Sequence, residues 1–205
     1  MATTTNYSWT TPDNTAYVKD GASAIRTLGS SVDTTLYTAL GGAYPGLRLI
    51  KKQTIGSAVA SVQVTSAFSA TYENYKIIIT GGVASGAPDL QLSLDGITTG
   101  YYSTLTYQNF GSTTVVGAQA SNAARWSWTG AGTTAALNMN FEVLAPFLAK
   151  PKTGHNIYNE MGIAATNGVS RQFNASTSSA TGFTITSSTG TLTGGTIYVY
   201  GYGIS

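Results

Sequence analysis

Two hydrophobic periods divide this chain. Ala22, Ile25, Leu28, Val32, Leu36 and Leu40 recur at three- and four-residue steps, the spacing that stacks side chains along one side of an α-helix. Asp20 stands where an N-cap belongs, Gly41 and Gly42 follow as C-cap glycines, and Pro45 prevents resumption. The opposite side carries Ser23, Thr27, Ser30, Ser31, Thr34, Thr35 and Thr38, hydroxyl residues that compete for backbone hydrogen bonds. A helix of about 20 residues, roughly 30 Å long, with so thin an apolar seam is expected to fray alone and to need a partner. A second copy would supply one. Ala22, Ile25, Gly29, Val32, Leu36 and Ala39 give one coiled-coil register, and Ile25, Leu28, Val32 and Ala39 a competing one. Ile25, Leu28, Val32 and Leu36 are the candidate trimerisation residues. The alternative is a single amphipathic helix lying on its own β domain.

From Leu47 onward the period becomes two. Leu47, Leu49 and Lys51 alternate with Arg48, Ile50 and Lys52, and Ala58, Ala60, Val62 and Val64 form one side of the next strand. YKIIIT at 75–80 is a continuous β-branched run, the pattern of a strand buried on both faces. Leu90, Leu92 and Leu94 mark a half-buried strand closed by an Asp95-Gly96 turn. Strands are also expected at 101–107, 113–116 and 125–129, with Trp126 and Trp128 pointing the same way. Leu137, Met139, Phe141 and Val143 make the clearest alternation; a strand at 157–163 comes next, ended by an Asn167-Gly168 turn. Phe183 and Ile185 mark another, and Ile197 and Val199 alternate with Tyr198, Tyr200 and Tyr202 in the last. Many short strands separated by turn residues predict a mainly β chain, a jelly-roll-like β-sandwich preceded by an N-terminal helical, coiled-coil-like stem. The linker GGAYPG sets a boundary between residues 1–42 and 43–205.

Composition narrows the function classes. Charged residues make up only 9% of the chain, against about 25% in ordinary globular proteins, so isolated sheet edges lack their usual protection and closure into an oligomer would relieve them. The formal charge of +2 comes from scattered cations, without the cluster that phosphate neutralisation needs, so no nucleic-acid partner is expected. No window approaches the ~20 apolar residues of a membrane span, so no membrane insertion is expected either. The start, MATTTNYSWTT, has neither a basic segment nor an apolar core and does not read as a secretory signal. Synthesis in a cytoplasm is the expectation.

Catalysis would have to use one histidine, His155, or the carboxylates Glu142 and Glu160; no G-x-S-x-G context is present, and both glutamates sit on polar strand faces that read as solvated. No enzyme activity is expected. Without cysteine there is no thiolate site, and the acids Asp13, Asp20, Asp33, Asp89 and Asp95 lack calcium-loop spacing, so no metal or cofactor is expected. Only three copies of His155 meeting on a trimer axis would make a metal site. Binding is better served: 13 tyrosines and 3 tryptophans in a low-charge chain offer flat apolar faces with polar edges, suited to sugars or subunit interfaces.

The string NYSWTTPDNTAYVKDGASAIRTLGSSVDTTL resembles the N-terminal module of many structural proteins of tailed bacteriophages, particularly tail fibre and minor tail proteins. The later segments GLRLIKKQTIG, YENYKIIITGG and GTIYVYGYGI are similar, more loosely, to the β domain of phage fibre proteins. The resemblance implies a homotrimer in the virion tail, anchored by its N-terminus to a tail or baseplate protein and meeting a host surface glycan or protein with a β-rich tip. Tyr7 and Trp9, two aromatics in a polar arm, are the candidate attachment residues, unless they pack back on the stem. With arm and stem committed to assembly, the receptor surface is expected on loops at the far end. Tyr101, Tyr102, Tyr107, Gln108, Asn109, Asn122 and Arg125 are the candidate contacts. The rival readings are a capsid decoration or head fibre protein and a free carbohydrate-binding lectin.

Overall fold

The structure, a computed structural model, describes residues 2–11, 17, 20–39, 46–161 and 166–203. The predicted caps Gly41, Gly42 and Pro45, and also Leu40 and Ile163, lie outside the described residues. The chain forms two compact units, residues 1–46 with 203–205, and Leu47–Tyr202. The division falls after Gly46, a few residues beyond the predicted one.

In the first unit, β1 (Ala2–Thr3) pairs with β2 (Thr10–Thr11), and α1 runs from Gly21 to Ala39. Thr27 Oγ1 and Ser31 Oγ donate to the carbonyls of Ser23 and Thr27, at 3.1 and 3.0 Å, back-bonding that lets hydroxyl residues sit inside a helix at some loss of stability. The arm lies along α1, where Trp9 Nε1 donates to Thr35 Oγ1 at 2.9 Å and Ala24, Leu28, Ser31 and Thr35 are half-buried. The face bearing Ala22, Ile25, Gly29 and Leu36 is not covered. Ile25 is 67% exposed and Leu36 54%.

The second unit is mainly β. Its strands are β3 (Leu47–Thr54), β4 (Ser61–Val64), β5 (Asn74–Thr80), β6 (Val83–Ala84), β7 (Asp89–Leu94), β8 (Tyr101–Asn109), β9 (Val116–Ala123) and β10 (Trp126–Gly132). Then come β11 (Leu137–Leu144), β12 (Lys152–Asn159), β13 (Thr166–Asn174), β14 (Phe183–Ser187), β15 (Leu192–Thr193) and β16 (Thr196–Tyr202). All pairings are antiparallel. A broad sheet runs β3-β16-β5-β11-β12-β13-β8-β9, and a narrower one β4-β14-β7-β10; they join where β10 pairs with β11. The apolar sides of both turn inward on one core, including Val62, Tyr75, Ile77, Leu92, Trp126, Phe141, Phe183, Ile185 and Val199. Burying apolar area at about 25 cal/mol per Å² makes this alternation the main stabilising term of the unit.

Several expectations change. On β5, Tyr75, Ile77 and Ile79 are buried but Lys76 and Ile78 are only half-buried, because they lie on the side of the strand that faces away from the core. Residues 113–115 are not strand, and Ala58, with a φ of 54°, and Ala60 lie outside β4. The Asn167-Gly168 pair is not a turn; it lies inside β13, opposite Gln108 and Tyr107. There a Cβ on Gly168 would strike Thr106 O and approach Tyr107 Cα to 2.7 Å, so glycine serves close strand approach. Trp126 is fully buried while Trp128 is half-buried. A bulge between Trp126 and Gly130 breaks the alternation, and Trp128 takes a φ of 57°.

Candidate interaction surface

Outward-facing side chains of the broad sheet form cross-strand rows, fixed by register. One row reads Tyr200, Lys76, Glu142, His155, Arg171, Thr104 and Gln119 across β16, β5, β11, β12, β13, β8 and β9. Glu142 is not solvated as its polar strand face suggests. It accepts from Tyr202 Oη at 2.5 Å, lies 3.7 Å from Lys76 Nζ and 3.3 Å from His155 Nε2. Burial first, then the hydrogen bond and charge of Glu142, pushes the Tyr202 hydroxyl up to about 12. Glu142 thus gathers Lys76, His155 and Tyr202 from three neighbouring strands. Among the described residues no three His, Asp or Glu side chains converge as metal ligands.

Glu160 is also engaged. Tyr158 Oη, buried between the layers, donates to Asp89 Oδ1 and lies 3.1 Å from Glu160 Oε1, while Glu160 Oε2 accepts from the Thr166 amide at 2.8 Å. Burial raises the Asp89 carboxyl above its ordinary value; the hydrogen bond from Tyr158 opposes this and the Glu160 charge adds to it. This network ties β7 to β12 and to the start of β13. Its tyrosine is 1% exposed.

The predicted contact residues separate. Tyr101 is wholly buried, its hydroxyl accepting from the Leu94 amide at 2.7 Å and donating to Ile97 O at 3.1 Å, its ring edge-on to Trp126. It is a core residue, and burial raises its hydroxyl to about 12. Tyr107 is half-buried against Leu105, Ala131 and Tyr158. Tyr101 to Asn109 lie along strand β8 rather than on a loop, and its alternation turns Tyr101, Ser103 and Leu105 inward. Tyr102 remains exposed, and so do Asn122, near the end of β9 that pairs with Tyr101 through Ala123, and Arg125 just after it. Gln108, exposed, and Asn109, half-buried, lie at the other end of β8, about 20 Å along the strand. The set is therefore two surfaces.

At the Tyr102 end, sequence reasoning missed Phe173 and Arg171. Phe173 lies opposite Tyr102 on β13, ring centroids 6.4 Å apart, both rings partly exposed. Tyr102, Thr104, Arg171 and Phe173 line a shallow depression of about 150 Å³, with two aromatic planes, a hydroxyl and a guanidinium. The missing signal was register: Phe173 and Tyr102 are 71 residues apart in sequence, and only the β13-β8 pairing brings them together.

No family model matches the chain, and no curated protein or solved structure matches it.

On the first unit, Tyr7 is 63% exposed and stacks on Trp9 at 5.1 Å. Trp9 itself packs back on α1, beside an open trough of about 590 Å³ walled by Arg26, Ser30, Ser31 and Thr34. Of the attachment pair, Tyr7 is the ring left available.

Proposed function

We propose that this chain is a structural protein of a tailed-phage virion, a homotrimeric fibre or spike whose first unit attaches to the tail and whose β unit recognises the host surface. The observation that carries the reading is the uncovered seam of α1. Ile25 and Leu36 are more than half exposed within their own unit, a placement that a self-sufficient helix would not keep and a three-stranded bundle would bury. The resemblance of the N-terminal string to phage tail modules points the same way. So does the division of the chain into two units at Gly46.

The tip reads as a jelly roll with additions. In chain order β4, β5, β7, β8, β9, β10, β11 and β14 fall in the narrow, broad, narrow, broad, broad, narrow, broad and narrow sheets, the back-and-forth of a rolled-up hairpin. The β12-β13 hairpin widens the broad sheet between β11 and β8, and β3 and β16 extend its other edge. Host contact belongs to the Tyr102, Phe173, Asn122 and Arg125 end, where aromatic planes and amides suit a surface glycan.

Light scattering behind size exclusion tests the assembly: three times 21.2 kDa is expected, and a monomer at micromolar concentration would end the fibre reading. Antibody labelling of intact particles separates the rivals. Label at the tail tip supports a fibre, label over heads a decoration protein, and glycan binding by particle-free protein with no label on either a lectin.

A further inference from the structure

The apolar phase is reversed along β13 and at Ile157 of β12. Toward the core these strands turn Gly154, Asn156, Ser170 and Gln172, all buried, beside Tyr158, and the Asn156 amide has no partner among the described residues for either its nitrogen or its oxygen. Outward they turn Ile157, 77% exposed, and Val169, 46% exposed, side by side in register. A slip of one residue would exchange the two faces. The sequence thus keeps polar groups at some cost beneath the sheet and reserves its β-branched side chains for the outer surface. Next to Val169, an open groove of about 320 Å³ runs between β8 and β13, walled by Thr106, Gln108, Val115, Val169 and Arg171. Val115 is 62% exposed, and Arg171 is the only charged side chain in the wall.

Resting on the homotrimer reading above, we infer that this end of the broad sheet's outer face is a subunit interface, covered by a second copy of the same chain. Interface centres are depleted of charge, and this one is aliphatic. A glycan is a poorer occupant, because the exposed side chains here, Ile157, Val169 and Val115, are aliphatic, and the one aromatic ring in the described wall, Tyr107, is half-buried against Leu105, Ala131 and Tyr158. A protruding Ile157 beside a groove gives knob and hole on one face, so that Ile157 of one copy enters the groove of the next around a rotation axis. Copies held together by α1 would meet at an effective concentration on the order of millimolar, so this contact need not alone bury the ~800 Å² per partner of a stable interface.

The chain has no cysteine, so a single introduced thiol reports its own surroundings. In full-length protein, Ile157→Cys should react with a maleimide at least tenfold more slowly than Thr177→Cys, a control at an exposed loop position. Ile157→Lys should raise the concentration at which the oligomer dissociates by at least tenfold while leaving the circular dichroism spectrum unchanged, because the side chain it replaces is outside the core. Equal labelling rates at the two thiols in a protein that runs as a trimer would overturn the inference and leave the trimer standing. Unchanged dissociation of Ile157→Lys would do the same. Protection that appears only when host cells are added would assign the face to the receptor and also overturn it. A monomeric wild-type chain would remove the trimer reading itself, and this inference with it.

Discussion

Tyr101 and Tyr102 are neighbours with opposite fates, and the contrast yields a prediction. Tyr101→Ala empties a fully buried ring site against Trp126 and should cost about 3–5 kcal/mol of unfolding free energy, measured by urea denaturation of the β unit. Tyr102→Ala should leave that stability within about 0.5 kcal/mol, yet weaken adsorption to host cells by about 1–3 kcal/mol per site. Undiminished adsorption by an assembled Tyr102→Ala protein would remove this end of the sheet from host contact. A second prediction concerns Asp89, whose carboxyl is raised above 3.8, chiefly by burial. The folded state then holds this proton more tightly than the unfolded chain. The stabilising contribution is therefore full below about 3.8 and is lost as pH rises through the folded value. Asp89→Asn should flatten the fall of Tm with rising pH in that window; parallel curves for the two proteins would refute the assignment. Tyr158→Phe, which removes the donor shared by Asp89 and Glu160, should destabilise by about 1–3 kcal/mol at neutral pH.

Among the elements, α1 is a helix whose own unit covers one side only. Leu28 is half-buried beneath the arm, whereas Ala22, Ile25, Gly29 and Leu36 stay exposed; of the two registers, the one through Ala22, Ile25, Gly29, Val32, Leu36 and Ala39 contains these exposed positions, with Val32 half-buried. Ile25→Asp should be nearly silent in a monomer and should dissociate the trimer, lowering the mass seen by light scattering to 21.2 kDa. A variant that retains the trimeric mass would mean that the helices do not meet along this seam. β10 illustrates the opposite case, an element whose pattern misleads. Strict alternation would give Trp126 and Trp128 the same environment, but the bulge between Trp126 and Gly130 adds a residue to one strand and rotates the side chains beyond it. Trp126 fills the core and donates from Nε1 to Phe173 O at 3.0 Å. Trp128 is left half-buried, against the small cluster of Leu105, Ala131 and Tyr158.

For the whole chain, the division at Gly46 gives the proposed function a test, since assembly and recognition should then be separable. A fragment of residues 47–205 contains the entire core of the β unit and should unfold cooperatively by itself, yet fail to join particles. An N-terminal fragment fused to another trimeric domain should join them. Normal incorporation of the truncated protein into virions would show that the anchor lies in the β unit instead. On the reading proposed above, the aromatic end of the broad sheet at Tyr102 and Phe173 would face the host and the aliphatic end at Ile157 and Val169 a neighbouring copy.

Sequence was sufficient for the elements whose side-chain chemistry and burial agree. The inward sides of β7, β11 and β16, and the Asp95-Gly96 turn, where Gly96 has a φ of 79°, were legible because each depends on residues a few positions apart; so was the helical period of α1, though not that Ile25 and Leu36 of its stripe stay exposed. Everything set by register between distant strands had to await the fold. Residues 167–168 look like a turn, but β8 lies so close that only glycine fits at 168. β13 was not visible at all, because its inward side is Ser170, Gln172 and Asn174 while its apolar residues face out. Pairing of β13 with β8 made a surface from Tyr102 and Phe173 that neither strand encodes alone. Periodicity reports which residues share a side of a strand; which side is buried depends on the neighbours that the fold brings there, and, where the outer side is apolar, on the neighbours that assembly brings.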